Sequence, residues 1–204
     1  GELLWEKPYQ LNAAFFPVVD QDHILVVNKY NDILLCDRKK GRMLWKKSLR
    51  NPLLYPPSLH AKGIVLCMDT AKETVASQTI SFLSLDKGEQ QWSFHGASVL
   101  DRILTAPCLS KDRLVVQSLM TDPDTQTQQT LALGLDLDKG TLVWKQPVPF
   151  SSRPTRPVII GNTVLLTGDT TKYPLYTIDL FTGQIAPFKF IDLPSEHMEV
   201  LQIR

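Results

Sequence analysis

The stretch "DLDKGTLVWKQ", residues 136–146, contains the motif that decides the fold: an aspartate, a glycine four residues later and a tryptophan four residues after the glycine. The same spacing from glycine to tryptophan occurs four times in the chain. The pairs are Gly1 and Trp5, Gly41 and Trp45, Gly88 and Trp92, and Gly140 and Trp144. A fifth copy at Gly183 keeps the glycine, but its tryptophan position holds Pro187. The chain is therefore built from repeats, and its last copy differs from the others.

A strand-like apolar run stands ahead of each internal glycine, and a turn residue links the run to the glycine. Asp37, Asp136 and Asp179 lie four residues before their glycine, and Ser84 takes that place in the second copy. Aspartate and serine side chains bond the backbone just ahead of them in turns, and glycine accepts positive φ where the turn closes. These features predict a strand C that turns tightly into a strand D, which carries the tryptophan.

Prolines mark the beginning of a second pair of strands in each repeat. Pro17, Pro57, Pro107 and Pro157 head segments that align without gaps. Each segment has a short apolar run, a polar turn and a longer apolar run, which predicts a β-hairpin of strands A and B. Proline suits the first residue of a strand because it cannot donate to the ladder. The "GN" pair at 161–162 predicts the tightest of these turns.

Prolines recur at spacings of 40 to 50 residues, which is the period of a β-propeller blade. We therefore predict an all-β propeller of four-stranded antiparallel blades in one region. The predicted blades cover about residues 13–49, 53–95, 103–148 and 154–190, with 1–7 as the D strand of a preceding blade and 191–204 as a tail or the start of a further blade. Because an unclosed ring exposes strand edges, we expect a piece of a larger propeller, or an open one completed by a partner or a second copy. A five-bladed ring closed with residues 198–204 is the alternative.

The spacing between motifs predicts where the repeats vary. Each glycine is followed by the next proline after 16 to 19 residues, whereas proline and glycine within one repeat are 24 to 33 residues apart. The additional residues of the second and third repeats predict enlarged surface loops between strands B and C. These loops cover 69–79 and 119–130 and lie on one face of the propeller. The candidate partner-binding residues in these loops are Thr70, Lys72, Glu73, Met120, Asp122, Asp124 and Gln126.

The full D-x-x-x-G-x-x-x-W spacing resembles the quinoprotein-type (PQQ) propeller repeat, in which a tryptophan-docking motif closes each blade. The resemblance extends from Gly1 to about Phe190. A large aromatic ring on an outer strand can lie flat against the next blade. The residues that would hold the blades together in this way are Trp5, Trp45, Trp92, Trp144, Gly41, Gly88, Gly140 and Gly183. The chain is most similar in style to non-catalytic cell-envelope members that help assemble outer-membrane proteins, which implies a periplasmic or other extracytoplasmic location.

Family dehydrogenases that hold pyrroloquinoline quinone use a full ring, a calcium-centred acidic site and an adjacent cysteine pair. Cys36, Cys67 and Cys108 are never adjacent, and no catalytic residue can be carried over to a matching position. We therefore predict a non-catalytic protein-binding scaffold without cofactor or metal, which recognises a protein partner through the B–C loops or an open blade edge. One alternative is a fragment of a quinoprotein-like dehydrogenase whose cofactor site lies outside this chain. Another is a luminal sensor or architectural domain that self-associates.

Composition narrows the classes of partner. The 204 residues carry a net charge of +1, so we expect no nucleic-acid partner, which would demand a clustered basic surface. No apolar run reaches the roughly 18 residues that a membrane helix needs, so we expect no membrane span, although peripheral association stays open. The three cysteines are interpreted as buried free thiols, with one bridge and one free thiol as the alternative.

Other polar residues are interpreted structurally. His23, His60, His95 and His197 are scattered along the chain, and "DPD" at 122–124 lacks the further oxygens and the glycine of a calcium loop. Residues 38–47 include six cations. We interpret them as the protection of an outer edge strand, with an anionic docking patch as the alternative.

Overall fold

A computed structural model describes residues 5–7, 12–70, 78–96, 101–122, 124–149, 154–167 and 175–188. All the regular structure in these ranges is β-strand. No helix long and apolar enough to cross a membrane is found among them. The strands form four antiparallel sheets, in each of which four strands follow one another in chain order from the inner to the outer edge. The third sheet has a fifth strand, which pairs out of this order.

The four sheets correspond to four blades. Blade 1 contains β1 (Val18–Val19), β2 (His23–Val27), β3 (Asp32–Asp37) and β4 (Met43–Ser48). Blade 2 contains β5 (Ser58–His60), β6 (Gly63–Asp69), β7 (Gln78–Leu83) and β8 (Gln90–Phe94). Blade 3 contains β9 (Arg102–Ile103), β10 (Cys108–Leu109), β11 (Arg113–Thr121), β12 (Gln128–Asp136) and β13 (Leu142–Pro147). Blade 4 contains β14 (Val158–Ile160), β15 (Thr163–Thr167), β16 (Leu175–Asp179) and β17 (Ile185–Pro187).

This architecture confirms the predicted fold class of an open β-propeller with four-stranded antiparallel blades. The inner strands β1, β5, β10 and β14 are neighbours in that order, so the blades are arranged as an open arc. Each proline stands directly before the first residue of β1, β5, β10 or β14, as expected. Residues 5–7 of the predicted preceding D strand are not in a strand, and 191–204 lie outside the described residues.

The middle strands are mainly apolar in their central residues because both of their faces are covered there. Residues 33–36 of β3 are all buried, whereas the residues of the outer strand β4 alternate between half-buried and exposed. Continuous apolar strands are typical of a sheet that is packed on both sides. Three clusters of buried side chains fill the spaces between blades 1 and 2, 2 and 3, and 3 and 4. The core of the protein therefore lies between the blades.

Strands β11 and β12 are longer than expected. Residues 119–130 were predicted to be a loop, but Leu119 pairs with Thr130, Met120 with Gln129, and Thr121 with Gln128. This part of the prediction is wrong because β9 joins the sheet beside Ser118 and Leu119. The additional strand supports a ladder of polar residues that the sequence pattern alone assigns to a loop. Only residues 122–127 connect the two strands.

The outer strands of blades 1 to 3 contain a β-bulge. In blade 1, Cys36 pairs with Met43 and Leu35 pairs with Trp45, so that Leu44 is the additional residue. Equivalent register shifts occur in β8 and β13. A bulge rotates the side chains that follow it relative to the sheet. The tryptophan is therefore placed opposite the residue that precedes the shift.

The outer strand of blade 4 pairs without a bulge. Ile178 pairs with Ile185, Thr177 with Ala186, and Tyr176 with Pro187. The ladder position that a tryptophan takes in blades 1 to 3 is consequently held by Ala186. Counting from the glycine assigned this position to Pro187, and that assignment is wrong because the counting assumes a bulge.

One smaller expectation, the position of the tightest turn, also changes. The Gly161–Asn162 turn joins Ile160 to Thr163 in two residues, but a two-residue turn also joins His60 to Gly63. The predicted tightest turn is therefore one of two.

Candidate functional site

Each tryptophan lies over the next C–D turn along the chain. Its indole Nε1 donates a hydrogen bond of 2.7 to 2.9 Å to a backbone carbonyl in that turn. The pairs are Trp5 with Arg38, Trp45 with Leu85, Trp92 with Leu137, and Trp144 with Leu180. Each ring also lies against the turn glycine, where an added Cβ would be 2.4 to 3.0 Å from the ring. These glycines are Gly41, Gly88, Gly140 and Gly183. Their part in holding the blades together stays a prediction, which stability measurements can test.

The turn beneath the tryptophan is built by local hydrogen bonds. The carboxylate of Asp136 accepts bonds from the backbone N–H groups of Asp138 and Lys139 at 3.0 and 2.9 Å. The N–H of Gly140 donates to the Asp136 carbonyl at 2.9 Å, and Gly140 has a φ of 66°. An L-residue is strained at this φ. A glycine at this position therefore satisfies the turn and leaves room for the ring.

The connections between strands B and C lie at one end of the blades, and there the β11–β12 hairpin is the longest. Its strands have nine residues each, whereas the other B and C strands have five to seven. We call residues 122–127 the tip loop. The tip loop is exposed at 124–127, and half-buried Asp122 begins it. The hairpin therefore places a short polar segment at this end of blade 3.

Hydrogen bonds order the tip loop. The carboxylate of Asp122 accepts bonds from the N–H groups of Thr125 and Asp124 at 2.8 and 3.0 Å. These bonds lower the pKa of Asp122, and the bond from the Thr125 backbone has the largest effect. The Asp122 N–H donates to the Thr127 carbonyl at 2.9 Å, and Gln126 adopts a positive φ of 56°. The loop therefore has a defined shape and presents an ionised carboxylate.

The base of the hairpin is also held in place. The N–H of Asp101 donates to the Leu119 carbonyl at 3.0 Å. In return, the Asp101 carboxylate accepts a hydrogen bond from the Thr121 N–H. Met120 is half-buried and packs against the core between blades 2 and 3. These contacts fix the direction in which the tip loop projects.

The predicted partner-binding residues do not form one surface. Asp124 and Gln126 are exposed in the tip loop, whereas Met120 belongs to β11. Thr70 is only 6% exposed, so its side chain is not available to a partner. Lys72 and Glu73 lie outside the described residues. Among the candidates that the structure describes, the exposed ones are consequently those of the tip loop. The long ladder beneath the loop is the feature that the sequence pattern missed.

The remaining candidates have intramolecular contacts. His23 Nδ1 lies 3.3 Å from Asp20 Oδ2, and His95 Nε2 lies 3.0 Å from Ser93 Oγ. His60 Nδ1 accepts a hydrogen bond of 3.1 Å from the backbone N–H of Lys62. His197 lies outside the described residues. In the cationic segment, Lys46 pairs with Asp32 at 2.8 Å and Lys47 donates to the Gly88 carbonyl at 2.8 Å. These contacts engage two of the six cations of the segment within the protein itself.

The cysteines are free thiols, so the alternative of a bridge does not hold. Cys36 and Cys67 are buried as expected, whereas Cys108 is only half-buried because it lies on an inner strand. Burial raises the pKa of Cys67 to about 12, which keeps this thiol protonated and unreactive.

The residues described here do not fit a quinone cofactor of the kind that the repeat family implies. No group of three or more histidine, cysteine, aspartate or glutamate side chains that could hold a metal ion occurs in the described ranges. The three thiols are separate from one another in the sequence.

Comparison with solved structures supports the fold. BamB from Moraxella catarrhalis is 15% identical, with a TM-score of 0.57 over 83% of this chain and 47% of that one. The computationally designed Ika4 protein is 13% identical, with a TM-score of 0.60 over 88% of this chain and 99% of that one. Quinohemoprotein alcohol dehydrogenase from Comamonas testosteroni is 12% identical, with a TM-score of 0.58 over 83% and 33% of the two chains. At these identities the likeness shows the fold alone.

The chain spans about half the length of the BamB structure and a third of the dehydrogenase. No curated protein matches its sequence. The family model described as outer membrane protein assembly factor BamB matches residues 1–189, so the chain belongs to this family of PQQ-type β-propeller repeats.

Proposed function

We propose that this protein is a non-catalytic scaffold of the cell envelope that binds a protein partner through the tip loop of blade 3. The observation that carries the proposal is the β11–β12 hairpin, which is longer than every other B–C hairpin described. Propeller function resides in sites added to the fold and not in the fold itself. An extended, ordered hairpin on one blade is such an addition.

The order of the tip loop favours binding. A loop that already has its bound shape loses less conformational entropy when a partner docks. The Asp122 carboxylate closes the loop through two backbone hydrogen bonds, and the Asp101 carboxylate holds its base. We therefore assign recognition to the tip loop and its ordered shape.

The charge of the tip loop favours a basic partner surface. The tip loop contains two aspartates and no lysine, arginine or histidine. The two aspartates are Asp122 and Asp124. Complementary charge speeds association and excludes partners of like charge. The partner surface that meets the tip loop should accordingly carry lysine or arginine.

Family membership supports a proposal for the location and the class of partner. The family model is that of an outer membrane protein assembly factor. We propose a periplasmic or outer-membrane-associated location and, as the partner, another protein that takes part in outer-membrane protein assembly.

Photocrosslinking can test the proposal in native cell extract. A photoreactive benzophenone amino acid would replace Gln126 in the tip loop or, as the control, Asn162 in an exposed turn at the opposite end of the blades. We expect a crosslinked protein at position 126 that does not appear at position 162. Crosslinks only between copies of this chain would instead support self-association and overturn the proposal.

A shortened hairpin provides the matched competitor. Residues 121–128 would be replaced by Asn-Gly, because Met120 and Gln129 are paired and a two-residue turn can join them. The chain's own Gly161–Asn162 turn shows the same connection. Unlabelled wild-type protein should compete with the crosslink at position 126, and the shortened variant should not. Equal competition by both would show that the tip loop is not the binding site.

A further inference from the structure

A second feature lies beside the tip loop, in the space between the outer strands of blades 3 and 4. It is an apolar groove with a volume of about 360 Å³. Its lining residues are Pro147, Val148, Pro149, Tyr176, Ile185, Ala186 and Pro187. We call it the proline groove. Its volume is within the range of about 300 to 1,000 Å³ that is usual for binding pockets.

Pairing explains why the groove is apolar at this position. Pro187 pairs with Tyr176 in blade 4. The equivalent ladder positions hold Lys46 opposite Leu34 and Lys145 opposite Leu133 in blades 1 and 3. Blade 2 has Ser93 there, opposite Ser81. Blade 4 alone among the four therefore has an apolar residue where the others have a lysine or a serine.

The proline groove and the tip loop lie at the same end of blade 3. The N–H of Val148 donates to the Thr130 carbonyl at 3.0 Å. Thr130 is three residues along β12 from Thr127, which closes the tip loop. At a strand rise of about 3.3 Å per residue, the groove begins about 10 Å from the acidic turn. An extended peptide of three or four residues can span this distance.

We propose that the proline groove and the tip loop together bind one extended segment of the partner protein. An aromatic side chain of that segment occupies the groove, and a lysine or arginine three or four residues away faces Asp122 and Asp124. The inference rests on the proposed function, because it specifies the partner of the same end of blade 3.

The two contacts have different physical roles. Aromatic side chains that fill apolar pockets provide much of the binding energy of protein interfaces. Exposed ion pairs contribute little but steer association and depend on salt. The aromatic contact should therefore control affinity, and the basic residue should control the salt dependence and the direction of the bound segment.

Synthetic peptides can test the inference without knowledge of the partner. The probe is an otherwise glycine and serine peptide with one lysine and one tryptophan four residues apart. The two comparison peptides replace the tryptophan by alanine or the lysine by glutamate. We expect the probe to shift the backbone amide resonances of Val148, Tyr176 and Gln126 in the ¹⁵N-labelled protein. The alanine peptide should bind at least about tenfold more weakly, because it has no aromatic side chain to bury in the apolar groove.

Variants of the protein provide the reciprocal test. Pro187→Lys introduces the residue that blades 1 and 3 have at this position, and it should weaken binding of the probe peptide about tenfold or more. Gln184→Lys adds the same charge at an exposed position outside the groove and should leave affinity unchanged. Asp122→Asn with Asp124→Asn should lower affinity less than about fivefold per charge and reduce its salt dependence.

The inference is overturned if the alanine peptide binds as well as the probe, or if Pro187→Lys leaves the probe's affinity unchanged. The alanine peptide decides the question even if Pro187→Lys does not fold. The proposed function is tested separately by the crosslink at position 126. If that crosslink forms while the peptides fail, the scaffold role stands and only the peptide site is lost. If both fail, neither proposal survives.

Discussion

The outer strands of blades 1 to 3 and the outer strand of blade 4 begin at the same kind of turn but pair differently. In the first three blades a bulge places a tryptophan over the next C–D turn. In blade 4 the ladder continues without a bulge, so that Ala186 takes the tryptophan position and Pro187 lines the groove. One additional residue in the ladder thus distinguishes an outer strand that contacts the following turn from one that lines an apolar groove.

The comparison also separates two kinds of turn glycine. Gly140 and Gly161 have nearly the same φ, 66° and 58°. An added Cβ on Gly140 would lie 2.4 Å from Trp92, whereas nothing lies within 4 Å of one on Gly161. The positive φ favours glycine at both positions, and contact with a tryptophan is a second requirement for glycine at position 140 alone of the two.

The largest effect is expected from loss of the most buried tryptophan. Trp144 is 7% exposed, and its ring lies between Gly134 and Gly183. We expect Trp144→Ala to lower the free energy of unfolding by about 4 kcal/mol, because it removes buried surface and leaves a cavity. Chemical denaturation should show this loss. Pro187→Ala, in the outer strand without a tryptophan, should have a much smaller effect, and equal losses would contradict the docking role of the tryptophan.

The glycine comparison predicts the next effect. We expect Gly140→Ala to lower the free energy of unfolding by about 3 kcal/mol, because backbone strain and overpacking against Trp92 add. Gly161→Ala should cost about 1 kcal/mol, from backbone strain alone. Both values can be measured by urea denaturation. If the two variants lose the same stability, the tryptophan ring does not constrain its glycine.

A pH dependence should distinguish blade 1 from blade 4. Lys46, which holds the ladder position of Pro187, donates to the Asp32 carboxylate at 2.8 Å. Hydrogen bonds from Lys46, Ser48 and Asn28 lower the pKa of Asp32 from 3.8 to about 2. Because the folded state binds this proton less readily, Asp32 contributes stability above its unfolded pKa. That contribution is lost as the pH falls from about 4 to about 2.

The Asp32→Asn variant checks this assignment. Its denaturation midpoint should fall less than that of the wild type between pH 5 and pH 2, because the variant has no carboxylate to protonate at this position. If the denaturation midpoint of the variant falls with pH as steeply as that of the wild type, other carboxylates cause the pH dependence.

The smallest effect is expected from an ionic contact between blades 2 and 3. Lys62 Nζ lies 2.8 Å from Asp138 Oδ2 and 3.4 Å from Asp112 Oδ1, and all three side chains are substantially exposed. We expect Lys62→Met to change the free energy of unfolding by less than about 1 kcal/mol, because exposed ion pairs are screened by water and salt. Thermal unfolding at low and high salt would reveal any contribution. A loss as large as that of Trp144→Ala would show that ion pairs, and not tryptophans, hold the blades together.

The repeat and the fold class could be predicted because their causes are local. The bonds from Asp136 to its own turn involve only neighbouring residues, and the positive φ of Gly140 follows from that turn. The proline before β10 and the turns between successive strands also have local causes, because each depends only on residues close to it in the sequence. These signals recur at each repeat, so the four strands of each blade and their order could be derived from spacing, whereas the additional strand β9 could not.

The candidate site was predicted only in part. Asp124 and Gln126 are exposed as expected, but Thr70 is buried in the folded chain. The polar residues of 128–130 indicate a loop by composition, yet they pair with 119–121. The support comes from β9, which is distant in sequence from β12 and joins the sheet on the other side of β11.

Local chemistry thus accounts for what could be derived from the residues alone: the turns, the strands they connect, and the glycines that tryptophans can contact. Pairing across the sheet accounts for the rest, namely the length of the β11–β12 hairpin, the absence of a bulge in β17 and the resulting groove beside Pro187. The physical reason is that a strand's register depends on its partner strand as well as on its own side chains. A spacing between residues in one strand does not contain that information.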